Sequence, residues 1–109
     1  MMTQPSLTQE IKDRVEAIVR DFNRRVIRDP NAGYVTRYRG NFLYLDRLDG
    51  GLRSQCCRLT YTGSMDDWDF AIYKYSDDRY DPEEWLFPGS EQVNGTVEGA
   101  LKAGLAAYP

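Results

Sequence analysis

The side chains that most often do chemistry are scarce in this chain: its 109 residues include no histidine, and its two cysteines, Cys56 and Cys57, are neighbours. A thiolate nucleophile usually needs an imidazole or comparable base beside it, and structural zinc needs four spaced ligands. Two adjacent sulfurs supply neither. Because successive side chains of a strand point to opposite faces, a bridge between them would distort the backbone, so both read as reduced packing residues. Acid–base work would then fall to carboxylates, lysines or tyrosines with shifted pKa, and spacing singles out no carboxylate pair. No phosphate-binding glycine loop, nucleophile elbow or dinucleotide fingerprint is present.

Two charged clusters remain. Asp77, Asp78, Asp81, Glu83 and Glu84, with Asp66, Asp67 and Asp69 close in sequence, are oxygen donors of the kind that hold hard cations. Their spacing departs from the calcium-loop pattern and lacks its glycine, while Asp81-Pro82-Glu83-Glu84 reads as the start of a short helical turn. Neither a metal nor a cofactor is expected. Arg20, Arg24, Arg25 and Arg28 could hold a phosphate, but cations are favoured at a helix C-terminus by the helix dipole. A pI near 4.9 also argues against a nucleic-acid partner.

The elements that position these residues follow from periodicity. Leu7, Ile11, Val15, Ile18, Val19, Phe22, Val26 and Ile27 recur at three- and four-residue spacing, predicting an amphipathic helix over 6–28, capped by Ser6 and ended by Asp29-Pro30. Strands are predicted over 34–39, 42–48, 52–62 and 68–75. Gly40-Asn41 is a two-residue hairpin signal that pairs Arg39 with Phe42. For Asp49-Gly50-Gly51, a three-residue loop would place Leu48 opposite Leu52 and Leu43 opposite Cys57, whereas a two-residue loop would mix polar with apolar neighbours. Trp85, Leu86 and Phe87 read as anchors over a sheet edge or core end, and Thr96 caps a last helix over 97–107. The expected fold is therefore α+β in two layers: N-terminal helix, four-stranded antiparallel meander, short helical turn and C-terminal helix, in a single domain over 1–109.

This register divides the sheet into two faces. Tyr34, Tyr38, Leu43, Leu45, Cys57, Leu59, Tyr61, Trp68, Phe70 and Ile72 form the expected core face, crossed by the N-terminal helix at Leu43, Leu59, Phe70 and Ile72. Val35, Arg37, Arg39, Phe42, Tyr44, Cys56, Arg58, Thr60, Ala71, Tyr73 and Tyr75 fall on the other. Arginine and tyrosine are enriched in protein interfaces, where they offer contact area together with a polar handle. Arg37, Arg39, Phe42, Tyr44, Arg58, Tyr73 and Tyr75 are accordingly the candidate interaction residues. The reading is a small non-enzymatic interaction module that uses this face for a protein partner or for self-association. The alternative is a small enzyme or ligand-binding protein, with a carboxylate, tyrosine and arginine site between this face and the 76–90 segment.

The net charge of −3 is unevenly distributed, since residues 1–62 hold 11 basic and 7 acidic side chains while 63–109 hold 3 and 10. No apolar run approaches the roughly 18 residues that span a bilayer, so no membrane partner is expected. The opening MMTQPSLTQEIK lacks the basic start and apolar stretch of a signal peptide, which places the chain in the cytoplasm on this reading.

Overall fold

A computed structural model describes residues 6–109. The chain forms α1 (Gln9–Phe22), a π-helical turn (Asn23–Ile27), β1 (Ala32–Arg39), β2 (Phe42–Asp49), β3 (Leu52–Tyr61), β4 (Trp68–Lys74), β5 (Arg79–Asp81), a 3-10 turn (Ser90–Gln92) and α2 (Val97–Ala107). The α+β class and the order of the predicted elements hold, but the antiparallel sheet has five strands, ordered β1-β2-β3-β4-β5, rather than four. Among the described residues no helix is long and apolar enough to cross a membrane.

The first helix is shorter than its apolar stripe suggests. Its cap is Thr8 rather than Ser6, with Oγ1 accepting the Ile11 N–H at 3.2 Å. Val15, Val19 and Phe22 are buried. After Phe22 the helix widens: the Arg28 N–H donates to the Asn23 carbonyl five residues back, and Arg28 turns left-handed at φ 61°. The wider turn changes the phase of the stripe, which is why Val26, expected inside, is 43% exposed.

The Gly40-Asn41 hairpin pairs Arg39 with Phe42, as its two-residue length demands. The second hairpin also has a two-residue loop, Gly50-Gly51, with Asp49 opposite Leu52 and both glycines at positive φ. A β-bulge after Gln55 then inserts Cys56, so that Leu45 faces Cys57 and Leu43 faces Leu59. Leu43 is thus displaced by two residues from its expected partner, a step that preserves the apolar face. The loop length rejected for its parity is compatible with the core because the bulge restores the parity four residues later.

The bulge also moves Cys56 off the outer face. Its sulfur lies 3.9 Å from the Tyr34 hydroxyl, which donates to the Leu101 carbonyl of α2 at 2.7 Å. Gly104 of α2 faces the same point: a Cβ there would come within 2.5 Å of the Tyr34 hydroxyl and 2.6 Å of the Cys56 sulfur. Helix and sheet approach closely enough that only a glycine fits. Both thiols are buried, and the Cys57 proton is held well above its ordinary pKa by contact with Cys56 and by burial.

Both helices lie on the core face. It is α2 that reaches β3 and β4, while α1 packs alongside α2 and toward β1. This corrects the expectation that α1 crosses the middle of the sheet. Thr96 caps α2 by accepting the Gly99 N–H at 3.0 Å, and Val97, Ala100, Leu101 and Gly104 are buried as their spacing predicts.

The region between β4 and α2 departs most from expectation. Arg79–Asp81 forms a fifth strand rather than a loop, pairing Tyr73 with Tyr80. No helix starts at Asp81. Its carboxylate accepts the Glu83 N–H at 3.0 Å, and a single turn closes from the Glu84 N–H to the Asp81 carbonyl. Phe87 and Trp85 cover Phe70 with ring centroids 5.8 and 6.0 Å away, whereas Leu86 is 96% exposed and anchors nothing.

Two outcomes follow for stability. Phe22→Ala should cost about 3–5 kcal/mol in urea unfolding, while Val26→Ala, at a surface site, should change it by less than about 0.5 kcal/mol. Burial raises the Tyr34 pKa beyond the ordinary phenol value, with the neighbouring cysteines adding to the shift. The folded state therefore keeps a proton that the unfolded state releases. Tyr34's own contribution should be level below about pH 10 and fall above it, by up to about 1.4 kcal/mol per pH unit. Urea melts between pH 9 and 11 should show a shallower decline for Tyr34→Phe.

Candidate interaction face

The outer face is assembled from alternate residues of five strands, and neither helix covers it. Its centre is Asp46, 3% exposed, whose carboxylate takes two hydrogen bonds from Arg37, at 2.7 and 3.2 Å, and a third from Arg53 at 3.1 Å. This pairing raises the Arg37 pKa further. The arginines stay roughly half exposed, so one buried anion fixes two cations at the surface.

Aromatic rings continue outward from this centre. The Arg37 guanidinium lies 4.5 Å from the Tyr44 ring centroid, and that of Arg58 lies between Phe42 (4.6 Å) and Tyr80 (5.6 Å). Phe42, Tyr44, Tyr80, Tyr73 and Tyr75 form a chain of edge and tilted contacts with centroid spacings of 4.8–6.1 Å. Tyr80 donates no proton readily: burial, and then the Asp46 charge, push its pKa up to about 12. Its hydroxyl accepts from Arg37 at 3.3 Å. Arg58 Nε is buried and makes no hydrogen bond with a described residue.

The structure brings Arg37, Phe42, Tyr44, Arg58 and Tyr73 into this one layer, but not all are accessible. Tyr73 is only 3% exposed, packed against Tyr75 and Tyr80 and bonded through its hydroxyl to Asp78. Tyr75 lies just past the end of β4, 53% exposed, with its ring edge on Tyr108 and its hydroxyl donating to the Gln55 carbonyl. Arg39 is exposed beside the first hairpin. Asp46, Arg53 and Tyr80 were not among the residues singled out from sequence. Asp46 carried a signal, a lone acid on the strand face that holds Tyr44. Tyr80 carried none, because its strand lies in a stretch dominated by acids and turn formers.

The acids of that stretch surround a lysine: Lys74 Nζ lies 3.1 Å from Glu84, 3.5 Å from Asp77 and 3.8 Å from Asp81. Among the described residues no group of three or more cysteine and carboxylate side chains is arranged to hold a metal. The Arg20–Arg28 cluster is partly spent on Asp21, which pairs with Arg24 at 2.7 Å and Arg25 at 2.6 Å.

Comparison with protein-family models, curated proteins and solved structures finds no match to this chain.

Asp46→Ala should strip Arg37 and Arg53 of their common acceptor. A loss of about 1–3 kcal/mol is expected, below that of a fully buried pair because both arginines retain water. Thermal unfolding of the variant, beside Arg53→Ala as a milder control, checks this.

Proposed function

We propose that this protein is a non-enzymatic interaction module that docks an acidic protein surface on the outer face of its sheet. The observation that carries the reading is that the sheet face turned away from the helices presents guanidinium groups over aromatic rings, with one buried donor, Arg58 Nε, without a hydrogen-bond partner among the described residues. Rings and guanidinium groups fixed in advance lose little side-chain entropy on binding, and they suit both apolar contact and carboxylate recognition. Arg37, Arg39, Arg53 and Arg58 outnumber Asp46, Asp69 and Asp78 on this face, although the whole chain is acidic. Face-to-face pairing of two copies would set arginine against arginine, which favours a different, acidic protein over self-association. None of Arg37, Arg39, Phe42, Tyr44, Arg58, Tyr73 and Tyr75 lines any of the four main concavities, all of which lie elsewhere. A face apart from these concavities suits docking better than turnover.

The test combines Arg39→Glu with Tyr44→Ala, two changes that leave Asp46 and both of its arginine partners in the chain. The double variant should keep its circular dichroism and monomeric sedimentation, and should lose at least tenfold in affinity for an acidic partner identified by cross-linking and mass spectrometry. Wild-type complex formation should weaken as salt rises. A partner held equally well by the double variant would place the docking surface elsewhere.

A further inference from the structure

The sheet has a second feature to which the outer face contributes nothing, the outermost strand β1 and its outer edge. The Asn23 side chain spans that edge at one point, its Oδ1 accepting the Tyr34 N–H at 2.8 Å and its Nδ2 donating to the Tyr34 carbonyl at 3.0 Å. The amide acts as a one-residue strand. Tyr34 therefore directs both backbone groups away from β2, and by antiparallel alternation Thr36 and Tyr38 direct theirs the same way. No hydrogen bond among the described residues uses those four groups. Meanwhile Glu16 of α1 holds the side chains of Thr36 (2.7 Å) and Tyr38 (2.5 Å), keeping this part of the strand extended beside the helix.

The open edge faces a groove. A concavity of about 400 Å³ is lined by Glu16, Val19, Arg20, Asn23, Tyr34 and Thr36, among others. It shares Arg20 and Asn23 with a second, of about 410 Å³, to which Arg24, Arg28 and Asp29 contribute. Arg20 makes no ion pair with a described residue. Among the described residues Arg28 uses only Nε, donated to the Arg25 carbonyl at 2.8 Å. The groove thus runs from unpaired backbone groups to arginines with free donors.

From this juxtaposition we infer that the groove between α1 and β1 binds an extended peptide of another protein as an added antiparallel strand, with the peptide's acidic C-terminal end at Arg20, Arg24 and Arg28. Backbone pairing at Thr36 and Tyr38 contributes affinity, as in other edge-strand additions. Direction follows from the same geometry: a strand antiparallel to β1 runs its C-terminus toward Ala32, where Asn23 already occupies the edge and the peptide must turn off beside the arginines. A terminal carboxylate and acidic side chains match the guanidinium groups there.

The test is selection from a random heptapeptide library displayed with free C-termini, followed by anisotropy measurements on the winning peptide. Acidic residues should be enriched in the last two positions, and proline depleted at the positions that pair. Thr36→Pro removes one outward N–H at an edge position where proline is tolerated, and should weaken binding at least tenfold, as should Arg20→Glu. A peptide N-methylated at its pairing amides should lose affinity to the same degree, a readout that survives if Thr36→Pro fails to fold. Arg39→Glu with Tyr44→Ala should leave this binding intact, separating it from the outer face. Failure to select any peptide, winners without C-terminal acids, or undiminished binding of the N-methylated peptide would overturn the inference. So would a free chain that sediments as a dimer undisturbed by the peptide, since a second copy would then own the edge.

Discussion

One extra residue in β3 decides how the two layers meet. The glycine pair at 50–51 forces a two-residue hairpin, and that hairpin alone would set polar residues of β3 beside the apolar residues of β2. The bulge at Cys56 resolves the conflict, bringing Cys57, Leu59 and Tyr61 into phase with Leu45 and Leu43. It also turns Cys56 toward α2, where the Tyr34 hydroxyl and Gly104 converge on its sulfur. The close approach of α2, the burial of Tyr34 and the separation of the sheet's two faces all follow from that insertion.

With both helices committed to one side, the other side must satisfy itself. It does so with its own side chains: guanidinium groups lie over aromatic rings, and a single buried carboxylate gathers two of the arginines. Such a layer shields the sheet without burying it under another element. The rings pack against each other in edge and tilted contacts, so each holds its neighbour in place. The acids of the 77–84 stretch close the opposite edge around Lys74, so the face carries positive charge in an otherwise acidic chain.

The sheet's two edges are handled differently. β5 is three residues long, too short to template much pairing. β1 is eight residues long, and among the described residues only Asn23 reaches its edge, a reach made possible by the π turn that ends α1. The same turn exposes Val26 and presents Arg24 and Arg28 to solvent. A local widening of one helix thus shapes a strand edge eleven residues further along the chain.

Much of the architecture was legible because periodicity reports burial. The alternation of Tyr34 to Ile72 and the stripe from Val15 to Phe22 identified the apolar faces, and Gly40-Asn41 and Thr96 set a register and a helix start through purely local chemistry. The candidate residues Arg37, Phe42, Tyr44 and Arg58 share a face for the same reason, since parity alone places them. What the sequence left open depends on contacts between distant segments. Cys56 fits between the layers because Gly104 leaves room for its sulfur, β5 forms because Tyr80 finds Tyr73 and Tyr44, and Asp46 is buried because two arginines from different strands reach it. A period of two assigns a residue to a face; only the folded chain determines which neighbours meet it there, and hence whether a charge is clamped, a ring is covered or an edge stays open.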